Sequence, residues 1–177
     1  MSAGTGKAFI TEDLWQQAQH SDTVELRRIA NEAKARPRLL LIDPDLQVQE
    51  LINEVFSPDS AEVTFEESLE SWEKVVKDNS PLDVILMDLT NPVERCFELV
   101  AELRETCSTE IILISRIADD YLWVESIQRG AYDFLPKPLD RNEVHRIVTN
   151  ATQKSRATRR DEYKGIQHIE SSRERCS

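Results

Sequence analysis

The chain has 177 residues and a formal net charge of −11, with 40% apolar and 31% charged side chains. That composition suits one globular domain with extensions, long enough to bury a core. No window holds the roughly 18 continuous apolar residues of a membrane helix, no secretory signal opens the chain, and three scattered cysteines form neither a disulfide framework nor a zinc motif, so a cytoplasmic protein without membrane contact is expected.

Residues 1–36 balance five basic against five acidic side chains and read as an N-terminal helical extension. Thr11 and Ser21 or Asp22 offer helix starts, and Leu26, Ile29, Ala30 and Ala33 line a stripe at helical spacing. The GTGK at residues 4–7 only imitates a phosphate loop, since no strand precedes it and Ala8 stands where Ser or Thr is required.

From Arg38 the pattern alternates. LLLI (39–42) reads as a buried strand, followed by a helix over LQVQELINEVF (46–56). AEVTF (61–65) is a short strand, and ESLESWEKVVKD (67–78) a second helix. DVILMD (83–88) is a third strand, and FELVAELRETC (97–107) a third helix. EIILIS (110–115) is a fourth strand; YLWVESIQRG (121–130) is a fourth helix closed by Gly130. AYDFLP (131–136) and RNEVHRIVTNATQ (141–153) complete the series. Nearly continuous apolar strands separated by helices predict a doubly wound α/β fold, a five-stranded parallel sheet covered on both faces. Pro136 removes a ladder donor and assigns the fifth strand to an edge.

This body, residues 37–153, carries ten basic against twenty-four acidic side chains, which disfavours direct nucleic-acid binding. The tail, 154–177, carries seven against four and reads as a polar, weakly basic continuation of the last helix with its charges solvated.

In such a sheet the strand C-termini share one edge, where ligands bind. The first strand delivers Asp43 and Asp45 there, the third Asp88, the fourth Ser115, and the turn after the fifth Lys137. Clustered carboxylates call for a cation, and oxygen ligands suit Mg²⁺. Lys137 and the Ser115 hydroxyl complement the acids, an arrangement fitted to Asp88 as acceptor of a phosphoryl group.

On the motifs LLLID, DVILMDLTNP, IILIS and GAYDFLPKPL, in that order, residues 38–153 resemble the receiver domain of bacterial two-component response regulators. The resemblance implies a flavodoxin-like strand order 2-1-3-4-5 and phosphorelay signalling. Asp88 would be phosphorylated by a sensor histidine kinase or phosphotransfer protein. Mg²⁺ would be held by Asp43, Asp45, Asp88 and the Thr90 carbonyl. Ser115 and Lys137 would bind the phosphoryl group, and Ser115 and Phe134 would act as the switch. A downstream protein would dock on the face of the fourth helix, fifth strand and fifth helix, where Tyr121 and Trp123 lie, and a homodimer is left open. The chemistry is a self-phosphorylating switch at most, and not metabolic turnover.

Three positions depart from the family pattern. Pro44 occupies the place of the second acid, so that either Asp45 replaces it, or Asp43 binds metal through water, or no metal binds. Arg116 follows Ser115 where a small residue is usual, and either obstructs the pocket or supplies positive charge. Cys96 lies near a common glycine. Pro44 and Arg116 support an alternative, a pseudo-receiver that interacts without phosphorylation. The tail is too short for a helix-turn-helix module or an ATPase, leaving a stand-alone receiver or a piece of a longer regulator.

Overall fold

The computed structural model describes residues 35–69, 81–89, 92–117 and 119–174, the last helix beyond residue 162 by its backbone alone. The helical stripe expected within residues 1–36 and the helix expected over residues 67–78 lie almost wholly outside the described residues. The elements are β1 (Arg38–Ile42), α1 (Leu46–Val55), β2 (Glu62–Glu66), β3 (Val84–Asp88), α2 (Val93–Thr106), β4 (Glu110–Ser115), α3 (Asp120–Gln128), β5 (Asp133–Pro136) and α4 (Arg141–Glu174).

All five strands are parallel, in the order β2-β1-β3-β4-β5. Strand alternation divides the apolar residues between two cores. Leu39, Leu41, Val84, Leu86, Ile112, Ile114 and Leu135 face one side, where α1 and α4 bring Val48, Ile52, Val144 and Val148. Their neighbours Leu40, Ile85, Met87, Ile111, Leu113 and Phe134 face the other, against Cys96, Phe97, Val100 and Leu103 of α2. Each fully buried Leu or Ile contributes about 1.5–3 kcal/mol relative to exposure, so both layers hold the sheet from either side. β5 is an edge strand, and Pro136 therefore leaves no ladder partner wanting.

α2 starts at Val93, earlier than the expected Phe97. The apolar stripe already begins there: Val93, Cys96, Phe97 and Val100 are spaced i, i+3, i+4, i+7 and all join the core. Cys96 is accordingly a core residue of a helix and not part of the loop after β3.

The basic tail corrects one expectation. α4 runs unbroken to Glu174, and the first of its tail charges are not solvated but tied to the sheet. Buried Asp83, just before β3, accepts from Arg156 Nε (3.1 Å) and Nη2 (3.0 Å), from Arg159, and from the main-chain N–H of Arg38 (2.9 Å). Buried Glu110, opening β4, pairs with Arg104 (3.1 Å) and Lys154 (3.1 Å). A carboxylate is almost never buried without such partners. These two pin α4 across the strand N-termini, the edge opposite the acidic residues.

Candidate functional site

The site is built at the other edge, where each strand end is fixed by a main-chain bond. The Asp43 N–H extends the β1–β2 ladder by donating to the Glu66 carbonyl (3.0 Å), Leu89 N–H donates to Ile114 (2.7 Å), and Lys137 N–H donates to Ser115 (2.7 Å). The side chains of residues 43, 88 and 137 therefore start from anchored backbone. The Lys137–Pro138 peptide is cis.

These three side chains meet. Lys137 Nζ lies 2.8 Å from Asp43 Oδ2 and 2.7 Å from Asp88 Oδ1. Asp43 is fully buried, Lys137 nearly so, and Asp88 is 12% exposed, making it the member of the trio open to solvent. Asp43 Oδ1 accepts from the Asp45 N–H (2.9 Å), while its Oδ2 lies against the Lys137 ammonium. Ser115 is buried at the end of β4, with its Oγ accepting from the Ile117 N–H (3.1 Å). Phe134 is buried among the apolar residues on the α2 side of the sheet. Thr90 lies outside the described residues.

The two acids flanking Pro44 have separate tasks. Asp43 turns into the protein; Asp45 is the N-cap of α1, accepting from Gln47 N–H (3.1 Å) through Oδ1. Its Oδ2 pairs with Arg116 Nη2 at 2.8 Å and stands 4.0 Å from Lys137 Nζ. Sequence reading singled out Arg116 as a departure but not its partner, which is 71 residues away and linked to it by no local spacing.

Charge follows from these contacts. Burial pushes the Asp43 carboxyl above its ordinary value, opposed by the Lys137 hydrogen bond and the Asp45 N–H and reinforced by the nearby Asp88 charge. The Arg116 hydrogen bond, with the Gln47 N–H, holds Asp45 below the usual carboxylate range. Burial works against the Lys137 charge, but hydrogen bonds to Asp43 and Asp88 outweigh it and keep the ammonium above its ordinary value. Arg116 is likewise held more firmly protonated by Asp45. Three carboxylates thus face two cations.

Among the described residues, no three Asp, Glu, His or Cys side chains are grouped to hold a metal by themselves. Mg²⁺ asks less, being held by one or two carboxylates with waters and phosphate oxygens. Asp43 and Asp88 fit that requirement: both direct an oxygen at the same point, now met by Lys137. Asp45 fits less well, with both oxygens committed to the α1 cap and to Arg116.

A family model described as the response regulator receiver domain matches residues 39–149. The transcriptional regulatory protein CpxR of Klebsiella pneumoniae is 29% identical over 111 residues, which is 62% of this chain and 47% of that protein. The regulatory protein AtoC of Escherichia coli is 28% identical over 117 residues, 66% of this chain and 25% of its own length. The chain thus spans half or less of the length of these curated relatives. Among solved structures, the signal receiver domain of an HD domain-containing protein from Pseudomonas fluorescens superposes with a TM-score of 0.61 at 22% identity, over 70% of this chain and 99% of that one. A response regulator from Thermotoga maritima does so with 0.61 at 18%, over 67% and 98%. Both structural likenesses bear on the fold.

Proposed function

The chain belongs to the response regulator receiver domain family, and from that premise we propose that it accepts a phosphoryl group on Asp88 within a cytoplasmic phosphorelay. One observation carries the reading: Lys137 Nζ bridges a fully buried Asp43 and a solvent-open Asp88 at 2.8 and 2.7 Å. An Asp88 Oδ attacks phosphorus, the bond from phosphorus to the donor's leaving group breaks, and Asp88 becomes an acyl phosphate. A sensor histidine kinase or phosphotransfer protein is the proposed donor. From a phosphohistidine the leaving imidazole nitrogen takes up a proton; from acetyl phosphate the leaving group is acetate.

The residues act by position and charge, which dominate phosphoryl transfer. Lys137 holds Asp88 in place and is at hand for a phosphoryl oxygen, while the Ser115 hydroxyl, at the end of the neighbouring strand, supplies a further donor. Asp43 and Asp88 would hold Mg²⁺, with the Thr90 carbonyl an added candidate; when bound, the ion neutralises phosphoryl charge. Phosphorylation adds negative charge where Lys137 is shared, and redistribution of that cation biases Ser115 and Phe134 between two arrangements. The face of α3, β5 and α4 is the proposed docking surface, supported by exposed Tyr121, Trp123, Val124 and Ile127 on α3.

A second reading is favoured by the Arg116–Asp45 pair and by Pro44: an interaction module that uses the same face without phosphorylation. Incubation with acetyl phosphate, with and without Mg²⁺, separates the two by intact mass. One added phosphoryl group, absent in Asp88→Asn, supports the acceptor. An unchanged mass under both conditions supports the module.

A further inference from the structure

Arg116 belongs to the rim of the site by chain position and to its charge balance by contact. It follows Ser115 directly, and its guanidinium stands beside Asp45 Oδ2, the oxygen that Lys137 approaches from the other side at 4.0 Å. Asp43 and Asp88 also lie close enough to stabilise its charge. Yet the side chain is 74% exposed, so its ion pair is screened by water and costs little to break. The guanidinium is therefore a cation kept at the site by a weak hold.

From these observations we infer that Arg116 is a second phosphoryl-binding cation, parked on Asp45 at rest and transferred to the phosphoryl oxygens once Asp88 carries them. The inference rests on the acceptor role of Asp88 and extends it. At rest three carboxylates share Lys137 and Arg116. A phosphoryl group carries about −1.5 to −2 charge near neutral pH, more than the carboxylate charge it replaces, and presents three acceptor oxygens. The planar guanidinium fork matches that geometry in two-point contact, which Asp45 cannot offer with one oxygen spent on the α1 cap. Pro44 completes the arrangement. Having neither a carboxylate nor an N–H, it leaves Asp45 as the nearest anion for Arg116.

Beryllofluoride, which coordinates a carboxylate oxygen and imitates a phosphoryl group, tests this on the full chain with Mg²⁺ present, its binding followed by fluorine NMR. Arg116→Ala is expected to weaken binding about ten- to a hundredfold, the loss of a charge-assisted contact, and Arg116→Lys by less. Asp45→Asn keeps the cap, removes the resting partner, and is expected to tighten binding. Unchanged or tighter binding by Arg116→Ala overturns the inference and makes the side chain an obstruction; weaker binding by Asp45→Asn overturns it in favour of Asp45 itself. Failure of the unaltered chain to bind overturns the acceptor role and this inference together, whereas binding that ignores Arg116 overturns the inference alone.

Discussion

Replacing Lys137 by Met removes the cation that bridges Asp43 and Asp88 while keeping most of the side-chain volume. Its contacts at 2.7 and 2.8 Å each correspond to about 6 kcal/mol of Coulomb attraction at an effective dielectric near 20. Much of that is offset by the desolvation of three charged groups; breaking buried pairs costs about 3–5 kcal/mol in practice. Because Asp88 retains contact with water, the lower end applies, about 3 kcal/mol near pH 7. The loss must also depend on pH. Burial already holds Asp43 above its ordinary value, so the folded state takes up a proton more readily than the unfolded one, and this group's contribution to stability falls as pH rises through that range. Without Lys137 the carboxyl rises further, and the native site can become neutral by binding a proton. Relative to the unaltered chain, the deficit should be smallest at acid pH and grow as pH rises through the raised Asp43 range. Urea denaturation of both proteins in chelator at several pH values measures it, and comparison with the unaltered chain cancels the other carboxylates. A deficit that is constant with pH, or below about 1 kcal/mol near neutrality, would refute the claim that Lys137 compensates a buried charged Asp43.

Other consequences are open to direct measurement. Asp83→Ala removes the carboxylate that Arg156, Arg159 and the Arg38 N–H share, and is expected to cost about 3–5 kcal/mol in urea denaturation and to speed amide exchange in α4 beyond Lys154. Intact stability and unchanged exchange would contradict the clasp. Gly130→Ala introduces a Cβ at a φ of 101° and 2.9 Å from Cγ of Arg104, whose guanidinium pairs with Glu110; backbone strain and this close approach together should cost about 1–3 kcal/mol, read by thermal or chemical denaturation. Raising pH through the elevated Lys137 value should withdraw the stability its charge provides. That stability is present in full below the ordinary lysine value, so an alkaline loss missing from Lys137→Met identifies it.

The sheet was legible because its strands are written in one residue class. LLLI, DVILMD and EIILIS alternate across two buried faces, and apolar periodicity carries that information with no knowledge of neighbours. The order of the strands came instead from the resemblance to receiver domains, and the sheet has that order. Legibility stopped at contacts between distant charges. Asp83 and Glu110 read as ordinary strand starts and the tail arginines as solvated. Only the length of α4 brings them together, 73 residues apart for Arg156 and Asp83. At the acidic edge the residues themselves were named from sequence, but the division of labour around Pro44 was left with three alternatives. What decides the resting arrangement is that Asp45 caps α1 and meets Arg116, a choice made by helix geometry and a remote cation.

In the proposed reaction an Asp88 oxygen bonds to phosphorus, and chemical trapping locates that bond. After incubation with acetyl phosphate and Mg²⁺, hydroxylamine attacks the acyl carbon of an aspartyl phosphate, releases phosphate and leaves a hydroxamate for peptide mass spectrometry to locate. One hydroxamate is expected, on Asp88, and none in the Asp88→Asn protein. A hydroxamate on Asp43 or Asp45, or none anywhere while the chain remains folded, would contradict that reaction.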